Sequence, residues 1–113
     1  MPSKTYIVDI DDTICSTPHE GDKAFYHLAK PITHRIDCIN SLYDAGNTII
    51  YWTARGSRSG IDYLELTKTQ LAEWGVKAHD IRVGKPSYDI WIDDKAINDK
   101  SYFEFIDNLC TDK

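Results

Sequence analysis

Residues 6–14 read YIVDIDDTI. The apolar run Tyr6-Ile7-Val8 ends in Asp9, and Asp11 and Asp12 follow within three positions. Carboxylates this close repel one another unless a cation or a pKa shift relieves them. Other chemistry-bearing residues fall in the same way, each behind an apolar run. Thr53 follows Ile49-Ile50-Tyr51-Trp52, Lys85 follows Ile81-Arg82-Val83-Gly84, and Asp93-Asp94 follow Ile90-Trp91-Ile92. An oxygen-rich, hard site is what Mg²⁺ prefers, and Mg²⁺ usually binds through one or two carboxylates together with phosphate and water. A lysine and a hydroxyl beside it suit an anion, and beside a metal that anion is expected to be a phosphoryl group. Asp9 could attack phosphorus and form an aspartyl-phosphate. Asp11, two residues on, could handle the proton of the leaving group.

Such convergence needs elements that bring distant residues to one rim. Residues 4–10 read as a short buried strand, and 48–52 as a second, β-branched and aromatic. Residues 81–83 read as a short third strand and 88–92 as a clearer fourth. Pro31 can open a helix whose apolar face is Ile32, Ile36, Ile39 and Tyr43, and Gly46 suits its end. A second helix is expected from Ser59 to Trp74 with Ile61, Leu64, Leu71 and Trp74 inward, and Gly75 as its stop. Phe103, Ile106 and Leu109, with Cys110 beside them, give a last helix one apolar face. Glu65, Lys68 and Glu73 read as a solvated helix face, and Tyr51, Trp52, Trp74 and Trp91 as core packing. Strands alternating with helices imply βαβ crossovers and a parallel sheet covered on both faces. Ligands in such sheets bind at the carboxyl ends of the strands, where all the polar clusters above are expected to lie.

The 113 residues suffice for one domain with one core. Hydrophobic residues make up 42%, which fits a globular chain, and no apolar stretch approaches a membrane span. The beginning MPSKTYIVDIDD lacks the apolar segment of a signal peptide, so a cytoplasmic location is expected. Cys15, Cys38 and Cys110 form no CxxC pair and read as reduced thiols. His19, His27, His34 and His79 form no HxxH or HExxH pattern and read as ordinary surface or core histidines. The formal charge of −5, with no Lys/Arg run, disfavours nucleic acid and anionic membranes as partners.

The segment DIDDT, Asp9 to Thr13, resembles the DxDxT signature of the haloacid dehalogenase (HAD) superfamily of phosphohydrolases. Thr53, Lys85 and the Asp93-Asp94 pair follow in that family's order, so the resemblance spans residues 6–94. The stretches WTARGS, QLAEWGVK and GKPSYDIWIDDKAIN are similar to a group of small phosphatase-like proteins linked to capsular polysaccharide biosynthesis. The resemblance implies an α/β, Rossmann-like (HAD-like) single domain over residues 1–113. It implies a Mg²⁺-dependent phosphohydrolase of a small phosphorylated metabolite, a sugar phosphate among the candidates. Asp9 would be nucleophile and metal ligand. Asp11 would be general acid/base, with its carbonyl on the metal, and Thr13 would support the loop. Thr53 and the Ala54 N–H would bind the transferring phosphoryl group, and Lys85 would neutralise it. Asp93 would be the carboxylate most directly on Mg²⁺, with Asp94 on the ion or one step removed and Asn98 assisting. Arg55 has two readings: a contact to phosphate or substrate, or a bridge to an acid on the surface.

Many members of that family carry a cap domain. Here the spans 14–30 and 54–84 hold no cap beyond the core helices, so the site should be open. That favours a bulky substrate or a neighbouring subunit of a homo-oligomer acting as lid. Residues 15–30 could form a small flap with Lys23, Tyr26 and His27 as substrate contacts. Two other functions fit parts of the pattern. A non-catalytic receiver-like phosphoacceptor shares early acids and a late lysine, but its acceptor aspartate follows a middle strand, where this chain has Thr53. A nucleic-acid end-processing phosphatase suits an open site but not the acidic balance.

Overall fold

The computed structural model describes the backbone of residues 3–111 and the side chains of residues 3–105. The first strand, β1 (Thr5–Val8), pairs in parallel with β6 (Thr48–Trp52), with Tyr6 opposite Ile49 and Val8 opposite Tyr51. β6 pairs in parallel with β7 (Asp80–Arg82), so the sheet order is β1-β6-β7. Parallel neighbours need crossover connections, and helices supply them. α1 (Thr33–Asp44) connects β1 to β6, and α2 (Leu64–Glu73) connects β6 to β7. α3 (Asp99–Thr111) closes the described chain. The α/β class and the parallel sheet expected from the sequence are therefore present.

Between β1 and α1 the chain makes four two-residue strands: β2 (Cys15–Ser16), β3 (His19–Glu20), β4 (Lys23–Ala24) and β5 (Lys30–Pro31). β3 and β4 form a small hairpin, and β5 returns antiparallel to β2. Residues 15–30 are thus a built flap. Pro31, expected to open a helix, instead pairs with Cys15, and α1 begins at Thr33.

One core joins these parts. Ile10, Ile14, Ile49 and Tyr51 are fully buried, with Ile36 and Ile39 of α1, Leu71 of α2 and Phe103 of α3 against them. Each such aliphatic side chain contributes about 1.5–3 kcal/mol by leaving water. Ile106, Leu109 and Cys110 lie outside the residues whose side chains are described.

Four expectations need correction. Burial alternates along β6, with Ile49 and Tyr51 buried and their neighbours half-buried, so the sheet does not have two equally covered faces. β1 is an edge strand, and Ile7 is 64% exposed. α2 starts at Leu64 rather than Ser59, because Gly56 and Gly60 take positive φ and the loop between them serves the site; Ile61 is exposed. Residues 88–92 form no strand. Ile90 is 79% and Ile92 94% exposed, and Trp91 touches Trp52 edge-on from an exposed position instead of joining the core.

Candidate active site

The loop after β1 is turned by Asp12, which holds φ at 61°, a left-handed value uncommon for any residue but glycine. The amides of Thr13 and Ile14 both donate to the Ile10 carbonyl. This tight turn splays the three acids apart, and each acquires its own partner. Asp9 Oδ2 accepts the Thr13 hydroxyl at 2.9 Å, while Oδ1 faces Lys85 Nζ at 3.4 Å. Asp11 receives Arg55 through Nε and Nη2, both at 2.9 Å, and the Thr17 hydroxyl at 2.6 Å. Asp12 accepts the Thr17 amide at 3.2 Å and lies 3.1 Å from His19 Nε2. The crowding seen in the sequence is relieved by distinct partners: Thr13 and Lys85 for Asp9, Arg55 for Asp11 and His19 for Asp12, with Thr17 donating to the last two acids.

The loops after β6 and β7 are tied together. Thr53 N–H donates to the Arg82 carbonyl, and Lys85 N–H donates to the Thr53 carbonyl at 3.1 Å. The Ser57 hydroxyl holds the Lys85 carbonyl at 2.6 Å. Lys85 thereby stands at the carboxyl end of β6, beside Asp9. The Thr53 hydroxyl, 1% exposed with its residue, accepts the Arg55 amide at 3.1 Å and keeps its own proton to donate. Gly56 makes this turn possible: its φ is 82°, and a Cβ there would collide with the Ile61 carbonyl.

Asp9, Asp11, Thr53, Ala54, Arg55 and Lys85 all line one open cleft of about 350 Å³. The sequence expected these six together, and the structure brings them together. The flap contributes His19, Ala24 and Tyr26, and the 86–88 stretch contributes Pro86, Ser87 and Tyr88. Of the three flap contacts expected, only Tyr26 reaches the cleft. Lys23 lies over the Phe25 ring, and His27 meets that ring edge-on. His19 and Tyr88 were missed. The signal for His19 was the third acid, Asp12, which needs a donor. Tyr88 was hidden by the expected strand, and its ring lies 5.4 Å from Lys85 Nζ.

Arg55 lines the cleft and makes one of the two contacts expected of it. It does bridge to an acid, but its side chain is 0% exposed rather than on the surface. Nη1 donates to Thr67 Oγ1 at 3.2 Å and to Gln70 Oε1 at 2.6 Å, and the guanidinium lies 4.9 Å from the Tyr26 ring centre. Cys15 sits behind Asp11, its Sγ 3.8 Å from Oδ1. Burial pushes this thiol up to about 11, with the Thr17 hydroxyl opposing in part. Burial likewise raises Tyr26.

Asp93 and Asp94 are not among the cleft residues, and both are exposed. Asp93 accepts the Lys95 amide at 2.8 Å and the Trp91 indole N–H at 3.2 Å, which hold its carboxyl below the usual range. Asn98 is also exposed and accepts the Lys100 amide. Among the described residues no group of three or more His, Cys, Asp or Glu side chains could hold a metal ion. The donor chemistry agrees: both Asp11 oxygens are bound, to Arg55 and Thr17, and Asp9 Oδ1 is shared with Lys85. Asp9 would be the side-chain ligand to a Mg²⁺ ion in this cleft, with Asp93 and Asp94 outside it. No described helix is long and apolar enough to cross a membrane.

No protein-family model matches the chain, and no curated protein matches it. It is similar to a solved structure described as the crystal structure of an MCSG target from Vibrio cholerae, a description that names no function. The identity is 26% and the TM-score 0.74, over 94% of this chain and 95% of that one. The α/β architecture thus extends to a protein with largely different side chains.

Proposed function

We propose that this chain is a phosphohydrolase of small phosphorylated metabolites, working through an aspartyl-phosphate on Asp9, with a HAD-like core. The observation that carries the reading is the meeting of Asp9, Thr53 and Lys85 at the carboxyl ends of parallel strands. Asp9 and Lys85 lie 76 positions apart in the chain and 3.4 Å apart in space. Thr13 orients one Asp9 oxygen, and the other faces the cleft.

The chemistry follows from these groups. An Asp9 oxygen forms a bond to phosphorus as the bond from phosphorus to the leaving oxygen breaks. The leaving oxygen takes a proton from Asp11, and Asp11 recovers one from the water of the next step. Water then attacks phosphorus, the Asp9–phosphorus bond breaks, and inorganic phosphate departs. Lys85 offsets the charge on the phosphoryl oxygens, and the Thr53 hydroxyl can donate to one of them. Asp11 lines the same cleft and would carry the proton, its carboxylate held in one orientation by Arg55 and Thr17. The cleft is open, which suits either a bulky substrate or a second subunit as lid.

The finer HAD-like topology asks for one further contact. β1 has a free edge, and the apolar residues Ile90, Trp91 and Ile92 lie exposed in the same chain that exposes Ile7. A free edge and bare apolar side chains are both unfavourable in water. Pairing of residues 90–92 along the outer edge of β1 would relieve both and bring Asp93 toward the Asp9 rim. The Mg²⁺ expectation attaches to that arrangement and to no step above.

The test is turnover of p-nitrophenyl phosphate with Mg²⁺ present, followed by a panel of sugar phosphates. Activity lost in Asp9→Asn is the expected result. Equal activity in that variant removes Asp9 from the reaction. A long-lived phosphoprotein without turnover would make the chain a phosphoacceptor instead.

A further inference from the structure

We propose that Arg55 is a positioning residue, not a phosphate ligand: it fixes the Asp11 carboxylate and, through Tyr26 and Gln70, holds the 15–30 segment as a static wall of the cleft. The kinetic part of this inference rests on the phosphohydrolase reading; the structural part does not.

Four hydrogen bonds account for the guanidinium. Nε and Nη2 form a parallel fork on Asp11, and Nη1 is divided between Thr67 and Gln70 on α2. A guanidinium has five N–H groups, so little donor capacity remains for a substrate. The fork fixes both oxygens of Asp11 in a plane, which a lysine's point charge cannot do. The same group stacks near Tyr26, whose carbonyl accepts the Gln70 amide at 2.7 Å. Tyr26 also meets Tyr63 edge-on at 5.0 Å. Asp11, the flap and α2 therefore share one buried centre. A wall held this way selects substrates by fixed shape, with Tyr26 facing the group that carries the phosphate.

The experiment compares wild type, Arg55→Lys, Arg55→Ala and Gln70→Leu with three readouts: p-nitrophenyl phosphate kinetics, binding of inorganic phosphate, and hydrogen exchange of the Phe25, Leu28 and Ala29 amides. In Arg55→Lys, kcat falls about 100-fold while KM and the phosphate Kd stay within about threefold. The three amides, bonded to Pro18, Phe25 and Tyr26 carbonyls, exchange about tenfold faster in both Arg55→Lys and Gln70→Leu. A phosphate Kd raised tenfold or more with kcat retained would make Arg55 a phosphate ligand and overturn the inference. Wild-type exchange rates in Arg55→Lys would overturn it as well. Should Arg55→Ala fail to fold, Arg55→Lys and Gln70→Leu still decide. If the wild type shows no turnover, the phosphohydrolase reading fails, and the exchange rates alone decide whether Arg55 holds the flap.

Discussion

Arg55 and Asp11 meet through two parallel N–H···O bonds of 2.9 Å across 44 positions of sequence, with the arginine side chain fully buried and the aspartate 18% exposed. Burying a cation is costly unless it is paired, and removing one partner leaves the other uncompensated. Arg55→Met removes the cation and strands Asp11, Thr67 and Gln70. The expected loss is about 3–5 kcal/mol of unfolding free energy, read from urea denaturation. A loss under about 1 kcal/mol would mean that water replaces the guanidinium at little cost.

Lys85 stands at 12% exposure against an Asp9 that is 38% exposed. It is the cation that faces the proposed nucleophile. Lys85→Met keeps the length of the side chain and removes the charge. We expect kcat for p-nitrophenyl phosphate to fall about 10²–10³-fold, as for loss of a preorganised charge on a transferring group. A kcat within threefold of wild type would remove Lys85 from the chemistry. Stability should change little, because the pair is partly solvated.

Cys15 makes a prediction that is independent of catalysis. Its thiol is fully buried, and desolvation lifts its pKa from 9.0 to about 11. A raised pKa means that the folded state holds the proton more tightly than the unfolded state. The stabilisation is present below pH 9 and is lost as pH rises from about 9 toward 11. Iodoacetamide at pH 8 should leave Cys15 unmodified in the native protein and alkylate it in urea. The unfolding free energy of Cys15→Ser should lack the Cys15 part of the decline between pH 9 and 11. An identical decline in the variant would assign it to other groups.

The parts of the site that were legible in the sequence share one property. Asp9, Thr53 and Lys85 each follow an apolar run, and parallel strands carry such positions to one rim whatever the side chains are. Arg55 was ambiguous because its role depends on which acid it reaches, and Asp11 is brought to it only by the pairing of β1 with β6. The expected strand at 88–92 rested on local β-preference, which decides little until a neighbour supplies the other half of each hydrogen bond. The Lys85 amide is bound at the end of β6, so the next few residues start from the wrong rim for a parallel strand. Pro31 was misread for a related reason: an antiparallel partner, Cys15, claimed it before the helix could. Ile61 was lost to the loop that Gly56 and Gly60 create.

Gly56 tests that loop directly. Its positive φ already disfavours a side chain, and the Ile61 carbonyl occupies the place of a Cβ. Gly56→Ala must therefore move the loop that holds Thr53, Ala54 and Arg55 at the cleft. We expect a loss of about 1–3 kcal/mol in unfolding free energy, together with weaker binding of inorganic phosphate by the folded fraction. A stable variant with unchanged phosphate binding would show that the loop tolerates displacement.

The outer edge of β1 gives the last test. Ile7 is 64% and Ile92 94% exposed in the arrangement described. Substituting exposed residues usually changes stability by less than about 0.5 kcal/mol, and distant exposed positions add independently. Pairing of residues 90–92 along β1 would bury both side chains beside each other. Ile7→Asp and Ile92→Asp would then each cost about 2 kcal/mol or more, and the double variant would cost less than their sum. That coupled result is what the proposed HAD-like topology expects, since it would set Ile92 along the edge that exposes Ile7. The same pairing would protect the outward amides of β1 from hydrogen exchange, and Asp93→Asn would then lower turnover measured with Mg²⁺. Small, additive effects of the isoleucine variants would keep Asp93 outside the site, and the catalytic rim would consist of Asp9, Asp11, Thr53 and Lys85 without it.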